Sequence, residues 1–153
     1  MNHHDQTAVD DAAAMHIGLI RDKTWYGQHW IRDNKRAAIY SRDGYACVYC
    51  GITSESAERQ GIRMTLDHVH PRELGGTHNV GNLVTACLVC NCAKQSKGLR
   101  AFLKYLRGIG IQTAGIAKRV RRQKAKSIFV TSAKGQITKV TPTAEGEIRK
   151  RVS

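Results

Sequence analysis

Two Cys-x-x-Cys pairs constrain the fold of this chain more than any other feature of its sequence. Cys47 and Cys50 form the first pair, Cys87 and Cys90 form the second, and 36 residues separate the pairs. Four soft thiolates suit a tetrahedral Zn²⁺, whereas disulfides are disfavoured inside the cell. We therefore expect both pairs to meet at one zinc ion. The fifth cysteine, Cys92, is expected to be a small buried residue.

The positive charge of the chain is concentrated in its second half. The 153 residues carry a formal net charge of +13. Residues 1–73 hold nine Lys or Arg against ten Asp or Glu, whereas residues 74–144 hold thirteen Lys or Arg and no acidic residue. A segment without carboxylates repels itself unless an anion neutralises it, which usually means nucleic acid and less often acidic lipid. A merely solvated surface would usually mix both signs of charge.

The length of the chain fits one compact domain with appendages. Residues 5–20 are rich in alanine, with apolar residues at helical spacing that predict an N-terminal helix. Neither a stretch of eighteen apolar residues nor a leader pattern is present, so we expect a cytoplasmic protein without a membrane contact. A second helix is expected over residues 28–41. It should turn four side chains inward, namely Trp30, Ile31, Ala38 and Ile39.

Apolar and polar residues alternate before Pro71, and this period of two predicts a strand. Met64, Leu66 and His68 then fall on one face of the strand, and Asp67 falls on the other. Opposite faces would let one of the two adjacent ionisable side chains hold a metal against a neighbouring helix. The other side chain could then face a substrate phosphate.

Residues 82–87 predict a second short strand, and a helix is expected from Asn91 onward with a break at Gly98. The predicted order is therefore strand, strand, helix. The helix should turn its basic residues outward, namely Lys94, Lys97, Arg100, Lys104 and Arg107.

The last forty residues change character. Residues 114–126 predict a strongly basic helix, and residues 127–140 predict a β-hairpin that turns near Lys134 and Gly135. Residues 141–153 have no apolar pattern and are expected to form a loose tail. We expect a truncation after Gly115 to weaken nucleic-acid binding and to leave the proposed zinc ligands, Asp67 and His68 untouched.

Four short motifs occur in an order that resembles one known family. The sequence reads LDHVHP at Leu66–Pro71, GG at 75–76, NL at 82–83 and CLVCNCAK at Cys87–Lys94. Together with both cysteine pairs, these motifs resemble the HNH endonucleases that carry a Cys₄ zinc site, over residues 42–98. The resemblance implies an α+β fold with a ββα-metal nuclease core stapled by zinc. N-terminal helices and a basic C-terminal helix and β-hairpin would flank this core.

The resemblance also implies roles for individual residues. His68 would be the general base, and Asp67 and Asn91 would ligate one catalytic Mg²⁺ or Mn²⁺. Asn82 would help to fix the orientation of His68. Many relatives have a histidine where this sequence has Asn91, whose amide oxygen favours Mg²⁺ or Mn²⁺ over softer metals. Products with a 5′-phosphate and a 3′-hydroxyl are implied.

These observations predict a metal-dependent DNA endonuclease of a phage or mobile element, acting in a bacterial or phage-infected cell. We expect an N-terminal segment at residues 1–41, a nuclease domain at 42–110 and a nucleic-acid-binding extension at 111–153. His70 and His78 are expected to be surface or hydrogen-bonding residues. Two alternatives remain open, an inactive zinc-containing adaptor that binds DNA or RNA, and a nuclease that cleaves RNA. The expected nucleic-acid contacts are Lys94, Lys97, Arg119, Arg121 and Arg122.

Overall fold

The structure is a computed structural model that describes residues 31–143. The predicted helix at residues 5–20, the side chain of Trp30 and residues 144–153 of the predicted tail lie outside this range. Mixed helices and antiparallel strands confirm the α+β class. The elements are α1 (Asp33–Arg42), α2 (Ser54–Arg59), β1 (Met64–His68), β2 (Leu83–Cys87), α3 (Leu88–Lys94), α4 (Leu99–Gly108), α5 (Ile116–Lys124), β3 (Ile128–Thr131) and β4 (Ile137–Val140).

The predicted order of strand, strand and helix is confirmed by β1, β2 and α3. The two strands pair antiparallel, with Asp67 opposite Val84 and His68 opposite Leu83. The predicted start of the helix at Asn91 is wrong, because α3 begins at Leu88 directly after β2. Cys87 ends the strand and caps the helix, where its Sγ accepts a hydrogen bond from the backbone N–H of Cys90.

The predicted break in the helical segment is confirmed. The helix α3 ends at Lys94. The next residue, Gln95, has a φ of +50°, and a right-handed helix cannot continue through a positive φ. Gly98 then caps the N-terminus of α4. The break lets α4 turn Phe102, Leu103 and Leu106 into the core.

Two apolar clusters form the core. The larger cluster joins α4 and α5 to β2 and the cysteine pairs, and it includes Val84, Phe102 and Val120. The smaller cluster lies between α1 and the hairpin formed by β3 and β4, and it includes Ile39 and Ile128. The hairpin is therefore confirmed as predicted. Within residues 31–143, no helix is long and apolar enough to cross a bilayer.

The basic helix α5 is part of the core and not a detachable tail. Ile116 and Val120 are buried, and the guanidinium of Arg119 donates hydrogen bonds of 2.6 and 2.8 Å to the carbonyls of Val48 and Tyr49. A truncation after Gly115 would remove these contacts. Such a truncation would therefore disturb the core as well as remove basic residues.

A buried ion pair fastens α1 to β2. The Arg42 and Asp43 side chains are only 2% and 0% exposed, and Arg42 Nε lies 2.7 Å from Asp43 Oδ1. Arg42 also donates to the carbonyls of Val80 and Leu83, while Asp43 Oδ2 accepts from the backbone N–H of Thr85. Both charges are thus satisfied without water, which fixes where β2 begins.

We predict that Arg42→Met lowers the free energy of unfolding by about 3–5 kcal/mol, because it leaves the Asp43 carboxylate buried without its partner. Arg59→Met is the matched control, since Arg59 pairs with Glu55 on the exposed surface of α2. The control should change the free energy by less than about 1 kcal/mol. Urea unfolding of both variants measures the difference, and equal values would refute a structural role for the buried pair.

Candidate active site and metal centre

The four cysteines of the two pairs meet at one point. Their Sγ atoms all lie within 4.8 Å of one another, and the Cys50 and Cys87 sulfurs are 3.8 Å apart. Zn–S bonds of about 2.3 Å at tetrahedral angles give sulfur separations of about 3.8 Å. The cluster can therefore hold a zinc ion, as the spacing predicted. Within residues 31–143, no other group of three or more cysteine, histidine or carboxylate ligands lies this close.

Local backbone geometry aims the thiols at this point. In the first pair, Gly51 has a φ of +80° and its N–H donates to the Cys47 carbonyl, which closes the turn around the thiols. In the second pair, the thiols sit on the N-cap and first turn of α3. Hydrogen bonds among the thiols lower the pKa of Cys47 well below its usual value and raise the pKa of Cys87 and Cys90, so the four thiols titrate as one coupled group.

Asp67 and His68 lie on opposite faces of β1, as the alternation predicted. The Asp67 carboxylate turns toward α3, where it contacts Lys94. The His68 ring turns toward the loop between β1 and β2, where it contacts His78. The strand therefore directs the carboxylate and the imidazole of two adjacent residues to opposite faces.

The Asp67 carboxylate is buried and held by two side chains. Tyr49 donates a hydrogen bond of 2.5 Å to Oδ2, and the Lys94 Nζ lies 3.1 Å from Oδ2 and 3.3 Å from Oδ1. Burial raises the pKa of Asp67, while Lys94 and Tyr49 act in the opposite direction. Tyr49 belongs to the first cysteine pair and Lys94 to α3. Both halves of the cysteine cluster therefore contribute a hydrogen-bond donor to this carboxylate.

The expectation that Lys94 faces outward and contacts nucleic acid is wrong. Its side chain is 0% exposed, and Nζ also donates a hydrogen bond of 2.8 Å to the His68 carbonyl. The reason is the helical spacing of Asn91 and Lys94, which lie on the same face of α3. Asn91 donates to Thr65 Oγ1 and to the Leu66 carbonyl on β1, so Lys94 must also face β1.

The His68 ring contacts a second histidine, His78, which the sequence predicts to be a surface or hydrogen-bonding residue of the loop. His68 Nε2 lies 2.9 Å from His78 Nδ1. Burial lowers the pKa of His68 to about 4, with further contributions from His78 and Arg72. A neutral imidazole at neutral pH has the lone pair that a general base requires. The expectation of a hydrogen-bonding role for His78 agrees with this contact.

Asn82 contacts the loop backbone. Its Oδ1 accepts a hydrogen bond from the His70 N–H, and its Nδ2 donates to the carbonyls of His70 and Thr77. The loop is tightly folded there, because a Cβ on Gly76 would lie 1.8 Å from the His70 carbonyl oxygen. Asn82 therefore fixes the loop that carries His78. Any effect of its side chain through these contacts on the His68 ring is indirect.

The other predicted nucleic-acid contacts differ in their surroundings. Lys97 Nζ lies 4.9 Å from the centroid of the Tyr105 ring and donates to the Ala93 carbonyl at 3.4 Å. Arg119 is an exposed residue whose Nε and Nη2 donate to the carbonyls of Val48 and Tyr49, and its contact with nucleic acid stays a prediction. Arg121 and Arg122 remain exposed on α5.

Residues 47–97 match the family model described as HNH endonuclease. This match covers the cysteine cluster, β1, β2 and α3, which are the elements that hold Asp67 and His68. The match indicates the class of nucleases for this segment. This chain contains an HNH endonuclease domain at residues 47–97.

Among solved structures, the chain is similar to the Type II-C Cas9 enzyme from Actinomyces naeslundii, with 23% sequence identity and a TM-score of 0.37. The similarity covers 78% of this chain and 13% of the Cas9 chain. A comparison with curated proteins gives no match.

We predict that Cys87→Ser removes zinc and unfolds the domain, because three thiolates and a hydroxyl no longer form a stable structural site. Cys92→Ala is the matched control, since Cys92 is buried on the same helix but lies outside the cluster. The control should retain about one zinc per chain. Elemental analysis and circular dichroism test both variants. A folded, zinc-free Cys87→Ser protein would show that the cluster does not staple the fold.

Proposed function

We propose that this protein is a metal-dependent endonuclease that hydrolyses DNA phosphodiester bonds and leaves 3′-hydroxyl and 5′-phosphate ends. The observation that carries the proposal is the placement, within an HNH domain, of the His68 ring and the buried Asp67 carboxylate on opposite faces of β1 at adjacent positions. The thirteen basic residues at 74–144, with no acidic residue among them, support an anionic substrate. Reduced thiols suit action in the cytoplasm of a bacterial or phage-infected cell.

His68 acts as the general base that takes a proton from the attacking water. Its surroundings favour a phosphate nearby, because Arg72 is close enough to lower the pKa of both His68 and His78. Lys35 adds a second positive charge, with Nζ donating a hydrogen bond of 2.7 Å to the His78 carbonyl. These cations would attract the scissile phosphate and would also help to keep His68 neutral.

Two oxygen-bearing side chains on the other face of β1 would hold a hard divalent ion, in place of the Lys94 ammonium that contacts Asp67. Asp67 offers a carboxylate. Asn91 offers an amide oxygen, Oδ1, which is turned away from β1 because Nδ2 donates to Thr65 and Leu66 on that strand. A carboxylate has about four acceptor positions, and three contacts from Tyr49 and Lys94 leave one of them. Two oxygen ligands suit a Mg²⁺ or Mn²⁺ that keeps most of its water. When bound, such an ion would stabilise negative charge on the phosphoryl oxygens.

Incubation with supercoiled plasmid tests the proposed function. Plasmid should be nicked or linearised with Mg²⁺ or Mn²⁺, and mild EDTA should remove the activity until Mg²⁺ is restored. Zinc should remain bound throughout, because four thiolates hold zinc more tightly than oxygen ligands hold Mg²⁺.

Three results would contradict this proposal in different ways. Absence of cleavage with DNA binding retained would favour the zinc-containing adaptor. Cleavage of a matched RNA in place of the plasmid would favour an RNA nuclease. Activity that survives after EDTA has removed all Mg²⁺ and Mn²⁺ would remove the divalent ion from the proposal.

Replacement of the base gives a sharper prediction. His68→Ala should lower the cleavage rate by about 10²–10⁴-fold while zinc content and DNA affinity persist. His70→Ala is the matched control, because His70 Nε2 bonds only the Leu74 carbonyl in the same loop and should tolerate the change. Comparable cleavage by His68→Ala and wild type would show that another group is the base.

Substitution at His78 tests whether this residue orients the base. His78→Asn keeps a side-chain group that can hydrogen-bond the His68 ring, whereas His78→Leu has none. Asparagine should therefore retain cleavage that leucine loses. The DNA affinity of the two variants should be the same.

A further inference from the structure

The outer face of the β3–β4 hairpin carries two large apolar side chains in an otherwise basic region. Phe129 is 61% exposed and Ile137 is 65% exposed. The register pairs Phe129 with Lys139 and Thr131 with Ile137, so all four side chains share one face. The opposite face carries Ile128, which is buried against α1. Packing of the core therefore explains only the inner face.

The charge around this face identifies the chemistry of its partner. Between residues 120 and 143 the chain has six Lys or Arg and no Asp or Glu. Lys139 lies directly across from Phe129, and Lys134 lies in the turn of the hairpin. A second copy of this chain would bring lysines against lysines, which is unfavourable. An anionic partner with flat apolar surfaces suits both features, and nucleic acid has them in its phosphates and bases.

The hairpin is fastened to the loop that carries His78. At the end of β3, the Thr131 carbonyl accepts a hydrogen bond of 3.2 Å from Asn34, whose neighbour Lys35 bonds the His78 carbonyl. Beyond β4, the Thr143 hydroxyl accepts a hydrogen bond of 2.9 Å from Asn79. A nucleic acid with a phosphate at His68 would therefore lie close to the hairpin.

We propose that the outer face of the hairpin is a DNA-binding wedge, in which Phe129 inserts against the bases and Lys139 contacts the backbone. Proteins commonly insert an apolar side chain such as phenylalanine or isoleucine between base steps and partly unstack them. Ile137 extends the apolar surface beside Phe129. The inference rests on the proposed nuclease function only for the choice of DNA as partner.

The wedge is tested by measuring the binding of full-length protein to a DNA duplex. Mg²⁺ is left out of the buffer so that the duplex is not cleaved. Phe129→Ala should weaken binding by on the order of 5- to 100-fold, and Phe129→Trp should restore it. The slope of log affinity against log salt should stay unchanged for Phe129→Ala, because no ionic contact is lost. Lys139→Ala should flatten that slope by roughly 0.9. A 2-aminopurine base in the duplex should brighten on binding wild type and not on binding Phe129→Ala.

The control removes an exposed aromatic residue elsewhere. Tyr45 is 54% exposed, outside the basic half, and its φ of +53° suits asparagine. Tyr45→Asn should bind DNA like wild type, and an equal loss of affinity in this control would overturn the proposal. Unchanged affinity in Phe129→Ala would also overturn it. A dimer that is lost in Phe129→Ala would instead show that the face contacts a second copy of the chain. A lowered melting temperature with unchanged affinity would show that Phe129 stabilises the fold and does not bind DNA.

The nicking assay separates this inference from the proposed function. Phe129-dependent binding without any cleavage would support the wedge and remove the nuclease. Cleavage with Phe129-independent binding would support the nuclease and remove the wedge.

Discussion

The meeting of the four cysteine thiols is the constraint on which the rest of the site depends. The first pair carries Tyr49 and the second pair begins α3, so joining them brings Tyr49 and Lys94 to the same carboxylate. Arg119 ties α5 to the carbonyls of the first pair from the other side. A zinc ion at this cluster would contribute directly to the stability of the fold.

The alternation of β1 then separates two chemical environments. On one face, Asp67 is buried against α3, and its carboxylate is oriented by contacts with Tyr49 and Lys94. On the other face, the tight loop held by Asn82 brings His78 and Arg72 to the His68 ring, and Lys35 of α1 donates to the His78 carbonyl. Under the proposed function, the His68 base and a divalent ion would lie on opposite sides of one phosphate.

The C-terminal elements contribute both to the core and to the basic surface of the protein. Residues of α5 and β3 fill the two apolar clusters, while their outer surfaces carry basic residues and the exposed Phe129. A helix or hairpin that is half core and half charged surface holds its outward groups in fixed positions. Such groups lose less conformational entropy on binding than the same residues in a loose tail.

The sequence by itself determined the cysteine cluster, the order of strand, strand and helix, the opposite faces of Asp67 and His68, and the basic hairpin. Each of these follows from local spacing or from the period of one element. Only the tertiary structure decided which way Lys94 points, where Arg119 binds and which residue partners His68. Asp67 and Lys94 are 27 residues apart, and Arg119 and Val48 are 71 apart. Such contacts depend on how separate elements pack. The sequence around a long basic side chain does not show whether that side chain contacts solvent, a phosphate or a buried carboxylate.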